Sequence, residues 1–243
     1  MASPVLPYEL AIGLRYTRAK RRNHFISFIS VVSMAGIALG VMALIVVLSV
    51  MNGFQEELRA RILGVAAHVE VAGPADRLSD WRGVLAQAKR NTEVVAGAPY
   101  VNAQGMLANG ERVRGVMVRG VLPELENGVA DFARHMKAGR LENLVPGEFG
   151  IVLGAELARV LGVFPGDKVV LLTPQGNVTP AGVMPRLKQF TVVGVFEAGM
   201  FEYDSGLALI HLGDAQKLLR LGDDVSGVRL KLDELFRAPF VVR

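Results

Sequence analysis

"NHFISFISVVSMAGIALGVMALIVVLSVMNGFQ", residues 23–55, runs for 33 positions without Asp, Glu, Lys or Arg. Within it, Phe25 to Met51 is 27 residues of mostly apolar side chains. As a helix rising 1.5 Å per residue, that stretch reaches about 40 Å against a hydrocarbon core of roughly 30 Å. Lipid offers the backbone no hydrogen-bond partners, so a crossing segment must be helical. A cleaved signal peptide fits poorly: its apolar stretch spans roughly 7–15 residues, and no A-x-A-like site follows "VVLSVMNGF". A buried helix of a soluble protein would rarely run so far without a charge. The reading is a transmembrane helix over residues 25–52.

The flank sets its direction. "RYTRAKRRNHFISFIS", residues 15–30, packs Arg15, Arg18, Lys20, Arg21 and Arg22 just before the run. Basic residues beside a span are held on the cytoplasmic side. Residues 1–24 are therefore expected in the cytoplasm, and the chain beyond the span outside, which in a bacterium with two membranes is the periplasm. Anionic head groups would strengthen this anchor. Upstream, Tyr8, Ile12 and Tyr16 recur every fourth residue, a spacing that fits an interfacial helix or else a frayed tail. Residues 1–22 hold five basic side chains and one acidic, so this tail carries the whole formal net charge of +4. A neutral remainder lacks the basic footprint that nucleic acid requires. With no Cys in the chain, disulfides and cysteine-ligated zinc are excluded.

The span has a face. Ser33, Gly36, Gly40 and Ala43 are spaced three, four and three apart, and "GIALG" is a G-x-x-x-G. Small residues let two backbones approach closely, so this stripe is expected to pack against a partner helix. Past the span, "NGFQEELRARILG" places Phe54, Leu58 and Ile62 at i, i+4, i+8, which predicts a helical stalk over 53–64, ended by Gly64.

Residues 65–243 alternate short strands and helices. Strands are predicted at "HVEVA" (68–72), "DKVVLLT" (167–173), "KQFTVVGVFE" (188–197) and "SGVRLKLDE" (226–234). Asn109-Gly110 marks a hairpin between extended runs within 101–121. Helices are predicted at 79–90, with Ser79 as N-cap, near 129–138, and from about Ala155. "GIVLGAELARVLGV" and "GLALIHLGDAQKLL" each read as a strand followed by a helix. This mixture is α+β rather than a βαβ repeat.

Catalytic constellations are missing. There is no G-x-x-x-x-G-K-[ST], G-x-S-x-G, S-x-x-K or H-E-x-x-H, so no ATPase, hydrolase or zinc chemistry is expected, and no cofactor. His24, His68, His135 and His211 fall in unrelated segments without metal-ligand spacing. Glu202 and Asp204 in "GMFEYDSG" read as a solvated turn. One segment stands out: "TPQGNVTPAGVMPRLKQ", residues 173–189, with Pro174, Pro180 and Pro185. Proline removes donors and fixes φ, so the segment is expected as a stiff binding loop that cannot pair as a regular ladder. Val178, Val183, Met184 and Leu187 give it apolar surface, and Arg186 and Lys188 a basic edge.

"SFISVVSMAGIALGVMALIVVLSVMNGFQEELRARILG" resembles the first span and stalk of the lipoprotein-releasing ABC transporter permeases, the LolC/LolE family. Leu39-Gly40-Val41-Met42-Ala43-Leu44 and Leu48-Ser49-Val50-Met51-Asn52-Gly53-Phe54 carry most of the resemblance. Thr179-Pro180, Gly182 and Met184-Pro185 are similar to the periplasmic hook of the LolC-type subunit, while Ala181 departs from the bulkier tip of some relatives. The resemblance implies a MacB-like mixed α/β periplasmic domain over residues 65–243, with the hook at 173–189. It implies that Pro174, Thr179, Pro180, Gly182, Met184, Pro185, Arg186 and Lys188 engage the chaperone LolA, and that Val47, Met51 and Phe54 line a lipoprotein cavity. The implied partners are a second permease protomer, LolD-like cytoplasmic ATPase subunits, LolA, the lipoprotein substrates and the inner membrane. Family permeases cross the membrane three more times, so the chain is expected to be truncated after the periplasmic domain. A MacB- or FtsX-like permease fragment with a different partner, and a signal-anchored periplasmic binding module, are the alternatives.

Overall fold

A computed structural model describes residues 8, 12, 13, 15, 24–65, 67–179 and 182–233. The basic cluster from Arg18 to Arg22 and Tyr16 of the expected interfacial helix lie outside the described residues. The chain divides into two units, Met1–Glu57 and Leu58–Arg243. Helix α1 (His24–Val65) begins in the first and its last residues fall in the second; it continues unbroken for 42 residues, past the predicted end of the span and one residue past Gly64. Within it, Phe28–Glu57 contains an 18-residue stretch with a mean hydropathy of 2.7 and is long and apolar enough to cross a membrane. Its large side chains, among them Phe28, Ile37, Met42 and Val50, are exposed.

Among the described residues, the second unit is built on nine strands: β1 (Val69–Ala72), β2 (Val94–Asn109), β3 (Arg112–Val121), β4 (Met136–Gly139), β5 (Gly150–Gly154), β6 (Lys168–Thr179), β7 (Gly182–Phe196), β8 (Leu207–His211) and β9 (Gly227–Leu232). Their order is β1-β9-β2-β3-β8-β5-β7-β4, with β6 joining β2 to β7. Strands β2, β3, β8, β5, β7 and β6 therefore form a closed circuit of hydrogen-bonded neighbours. The pairs β3/β8 and β5/β7 are parallel; the others are antiparallel. The short helices are α2 (Trp81–Ala88), α3 (Pro123–Val129), α4 (Ala155–Leu161), α5 (Phe201–Gly206) and α6 (Leu212–Leu219). The unit is thus α+β, as the sequence predicts.

Local chemistry explains these elements, with four corrections. Asn109 and Arg112 pair across a two-residue loop that begins with Gly110 at φ 60, a position glycine occupies without strain. Helix α2 starts later than predicted: Asp80, not Ser79, is its N-cap, accepting from the Gly83 N–H at 3.0 Å. The helix expected near 129–138 is only a 3-10 turn, Asp131–His135, followed by β4. It buries Phe132 edge-on against Phe196, centroids 5.2 Å apart, and each ring is worth about 1.5–3 kcal/mol of burial. The "solvated turn" at 201–206 is helix α5, and Asp204 is buried, its carboxylate accepting from the Ala198 and Gly199 N–H groups at 2.7 and 3.0 Å. The fourth correction concerns residues 173–189, described below.

Two apolar cores result. The larger gathers Leu107, Val118, Ile151, Leu153, Leu171, Phe190 and Ile210 with Leu157 of α4 and Leu219 of α6. The smaller surrounds Phe132, Leu141, Phe196 and Leu209. Between β9 and α3, Arg229 is fully buried and bonded to the equally buried Glu126.

Candidate functional site

The segment 173–189 is not an unpaired loop. It is the outer part of the β6–β7 hairpin, with Thr173 opposite Arg186, Asn177 opposite Met184, and Thr179 opposite Gly182. The prolines do not prevent this pairing because of where they fall. Between the pairs Thr173/Arg186 and Asn177/Met184, the three residues Pro174, Gln175 and Gly176 oppose the single residue Pro185. Both prolines thus sit in the bulge, where the ladder is already interrupted and a missing N–H costs nothing. Pro180 and Ala181, at the tip, lie outside the described residues, as do the side chains of Thr179 and Met184. Pro174 and Pro185 are exposed, and Leu187 is 62% exposed.

The base of the hairpin is fastened to the body. Arg186 Nη1 donates to the Leu218 carbonyl at 2.7 Å. That carbonyl belongs to the last turn of α6, where helical carbonyls lack intrahelical partners and the helix dipole favours a cation. Lys188 Nζ lies 3.6 Å from the centroid of the Phe149 ring, a cation–π contact. Phe149 in turn meets Phe190 edge-on at 5.7 Å. The expected basic edge is therefore engaged with the domain: both cations point to the face that holds Leu171 and Phe190, while Pro185 and Leu187 point to the other. Two buried polar atoms at this base, Thr173 Oγ1 and Arg186 Nε, have no partner among the described residues.

Helix α1 brings together two sets of residues that the sequence reading treats separately. Ser33, Gly36, Gly40, Ala43, Val47, Met51 and Phe54 follow one another by three or four residues. Because α1 is continuous through all of them, they form one stripe roughly 32 Å long. A Cβ added at Gly36 or Gly40 would meet nothing within 4 Å, and Val47, Met51 and Phe54 are more than half exposed. Among the described residues, nothing covers the stripe.

Sequence reasoning misses the buried charges. Arg229 alternates with Val228 and Leu230, which reads as a strand with one wet face; α3 covers that face instead. Arg119 is only 7% exposed, its Nε donating to Asn102 Oδ1 at 3.1 Å. Among the described residues, no group of His, Asp or Glu could hold a metal ion.

Comparison with known proteins places these features. A family model described as the MacB-like periplasmic core domain matches residues 30–237. The chain is 54% identical over 231 residues to the lipoprotein-releasing system transmembrane protein LolC of Neisseria meningitidis serogroup B, covering 95% of this chain and 56% of that protein. It is 48% identical to the protein of the same name from Xylella fastidiosa, covering 98% of this chain and 57% of that one. It is also 33% identical to the lipoprotein-releasing system transmembrane protein LolE of Haemophilus influenzae, covering 93% and 55%. The chain spans little more than half the length of these relatives.

Proposed function

Because the chain belongs to the LolC/LolE family of membrane proteins with a MacB-like periplasmic core domain, we propose that it serves as the membrane subunit of an ABC transporter that releases lipoproteins from the inner membrane. The observation that carries this reading is the 54% identity to a LolC protein across 95% of the chain. In this reading the subunit is not itself catalytic. LolD-like subunits in the cytoplasm hydrolyse ATP, and a second permease protomer completes the membrane part.

The N-terminus lies in the cytoplasm and the second unit in the periplasm. The basic flank before α1 supports that orientation. The β6–β7 hairpin hands the lipoprotein to LolA, with Pro174, Thr179, Pro180, Gly182, Met184 and Pro185 in contact and Arg186 and Lys188 holding the hairpin in place. Its exposed apolar side chain, Leu187, suits a carrier of lipid. Val47, Met51 and Phe54 face the acyl chains, and Ser33, Gly36, Gly40 and Ala43 pack on the partner protomer.

Depletion of the protein in its own cells tests the function. Lipoproteins bound for the outer membrane should accumulate in the inner membrane; unchanged sorting would overturn the reading. Orientation is tested separately with Ser79→Cys, in a chain that has no native cysteine. The new thiol should react with a membrane-impermeant reagent applied from the periplasmic side.

A further inference from the structure

Across the face of β2 and β3 opposite the larger core, three adjoining concavities of about 320, 300 and 340 Å³ share Met117 as a lining residue. Together they make a groove between Pro174 at the hairpin base and helix α5. Met117 is 42% exposed in its floor, and Gln104 offers a free amide beside it. Gly115 also lines the floor, and a Cβ there would meet nothing within 4 Å. Neither packing nor a positive φ requires glycine at this position, so its bare backbone leaves the floor open to a second chain.

Arg119 closes one end of the groove. Its side chain is more than nine-tenths buried, and Asn102 is its one hydrogen-bond partner among the described residues. The neighbouring carboxylates are already engaged: Glu126 holds Arg229, and Glu70 accepts from Tyr100 at 3.4 Å. The remaining N–H groups of Arg119 make no hydrogen bond among the described residues and are not among the fully buried atoms, so they stay open to a ligand as a fork that matches a carboxylate. Burial and the nearby Arg229 push its pKa down, and the opposing pull of Glu126 and Glu70 does not make up for them.

We infer that this groove binds an extended peptide segment of about four residues through one carboxylate held by Arg119. From Arg119 to Gly115 is four steps along β3, about 13 Å at strand rise. The Gln104 amide can pair with a peptide N–H and C=O at once, which an acyl chain could not use. Met117 takes an apolar neighbour of the acid. Asp76 and Glu202, exposed on the rim, repel a polyanion and so favour a single acidic group. This inference stands apart from the lipoprotein reading, because no residue of the proposed chaperone contact except Pro174 lines the groove.

The test uses the full chain in lipid nanodiscs, with empty nanodiscs as the blank, and fluorescein-labelled heptapeptides of alternating leucine and serine. One probe has a central aspartate and capped ends, a second has asparagine in its place, and a third has no acidic side chain but a free C-terminal carboxylate. By fluorescence anisotropy a carboxylate probe should bind about tenfold tighter than the asparagine probe. Either carboxylate supports the inference, and the tighter of the two names its source. Gly115→Phe should abolish binding with the melting temperature unchanged, and Arg119→Gln should make the three probes equal. Equal titrations of the three probes against the parent chain, absence of binding by any of them, or full binding by Gly115→Phe would overturn it.

Discussion

The Nδ1 atom of His68 accepts a hydrogen bond from the Leu232 N–H at 3.1 Å, and the His68 N–H donates to the Leu230 carbonyl at the same distance. These bonds hold the first residue of the second unit's sheet edge to the last strand, so β1 begins where β9 ends. The accepting nitrogen needs its lone pair, and protonation would set N–H against N–H.

Stability should therefore fall in mild acid. Burial, with help from Lys231, pushes the His68 pKa below 6.5. Between that lowered value and 6.5 the unfolded chain binds more protons than the folded one. The contribution is then complete above pH 6.5 and is lost as pH falls toward the folded value. His211, also lowered by burial, adds a second term of the same sign, since its Nδ1 accepts from the Gly213 N–H. His68→Asn keeps an acceptor but does not titrate. Urea midpoints measured from about pH 5 to 8 should show a shallower slope for this variant than for the parent; equal slopes would remove His68 from the account.

Glu126→Gln should be among the most damaging single changes, at about 3–5 kcal/mol, because it strands the Arg229 charge in the interior. Both side chains are fully buried, and Arg229 Nε and Nη1 already have no hydrogen-bond partner among the described residues. The double variant Glu126→Leu, Arg229→Met should unfold closer to the parent than either single change, since it removes both desolvation costs. Denaturation of all four proteins closes the cycle; strictly additive losses would show that the pair is not coupled.

The hairpin base separates positioning from steering. If Arg186 works by holding α6, Arg186→Ala and Arg186→Glu should both speed hydrogen exchange along Thr173–Leu187. Both should weaken binding to purified LolA to a similar degree at low and high salt. A rate that falls only for the glutamate variant, and mainly at low salt, would mean that Arg186 steers the partner instead. Replacing residues 175–184 with an Asn-Gly turn removes Gln175–Thr179 from β6 and Gly182–Met184 from β7, and leaves the pair Thr173/Arg186 in place. The domain should melt as before while chaperone binding is lost.

Gly40→Leu should reduce co-purification with the second permease protomer without affecting membrane insertion. A Cβ at this position meets nothing within 4 Å among the described residues, so a loss points to the partner helix. Undiminished recovery of the partner would reject the stripe as a contact.

The membrane helix was legible from residues 23–55 alone, because a run without charge that is long enough to span lipid admits few other structures. The strand and helix periods of 150–161 and 207–219 were equally plain, since a two-residue and a 3.6-residue repeat meet there at a single residue. Proline misled at 173–189. Its missing donor is a local fact, but whether that donor was needed depends on the opposite strand, and only the register put Pro174 and Pro185 together in a bulge. The same limit applies to charge. Alternation marked Arg229 and Arg119 as polar positions on their strands without saying what would cover them. Packing of α3 and α5 over that face turned one into half of a buried ion pair and left the other, with no carboxylate of its own, at the end of an open groove. Local pattern determines which residues share a face; burial and partnership arise between segments far apart in the chain, and those the tertiary structure alone decided.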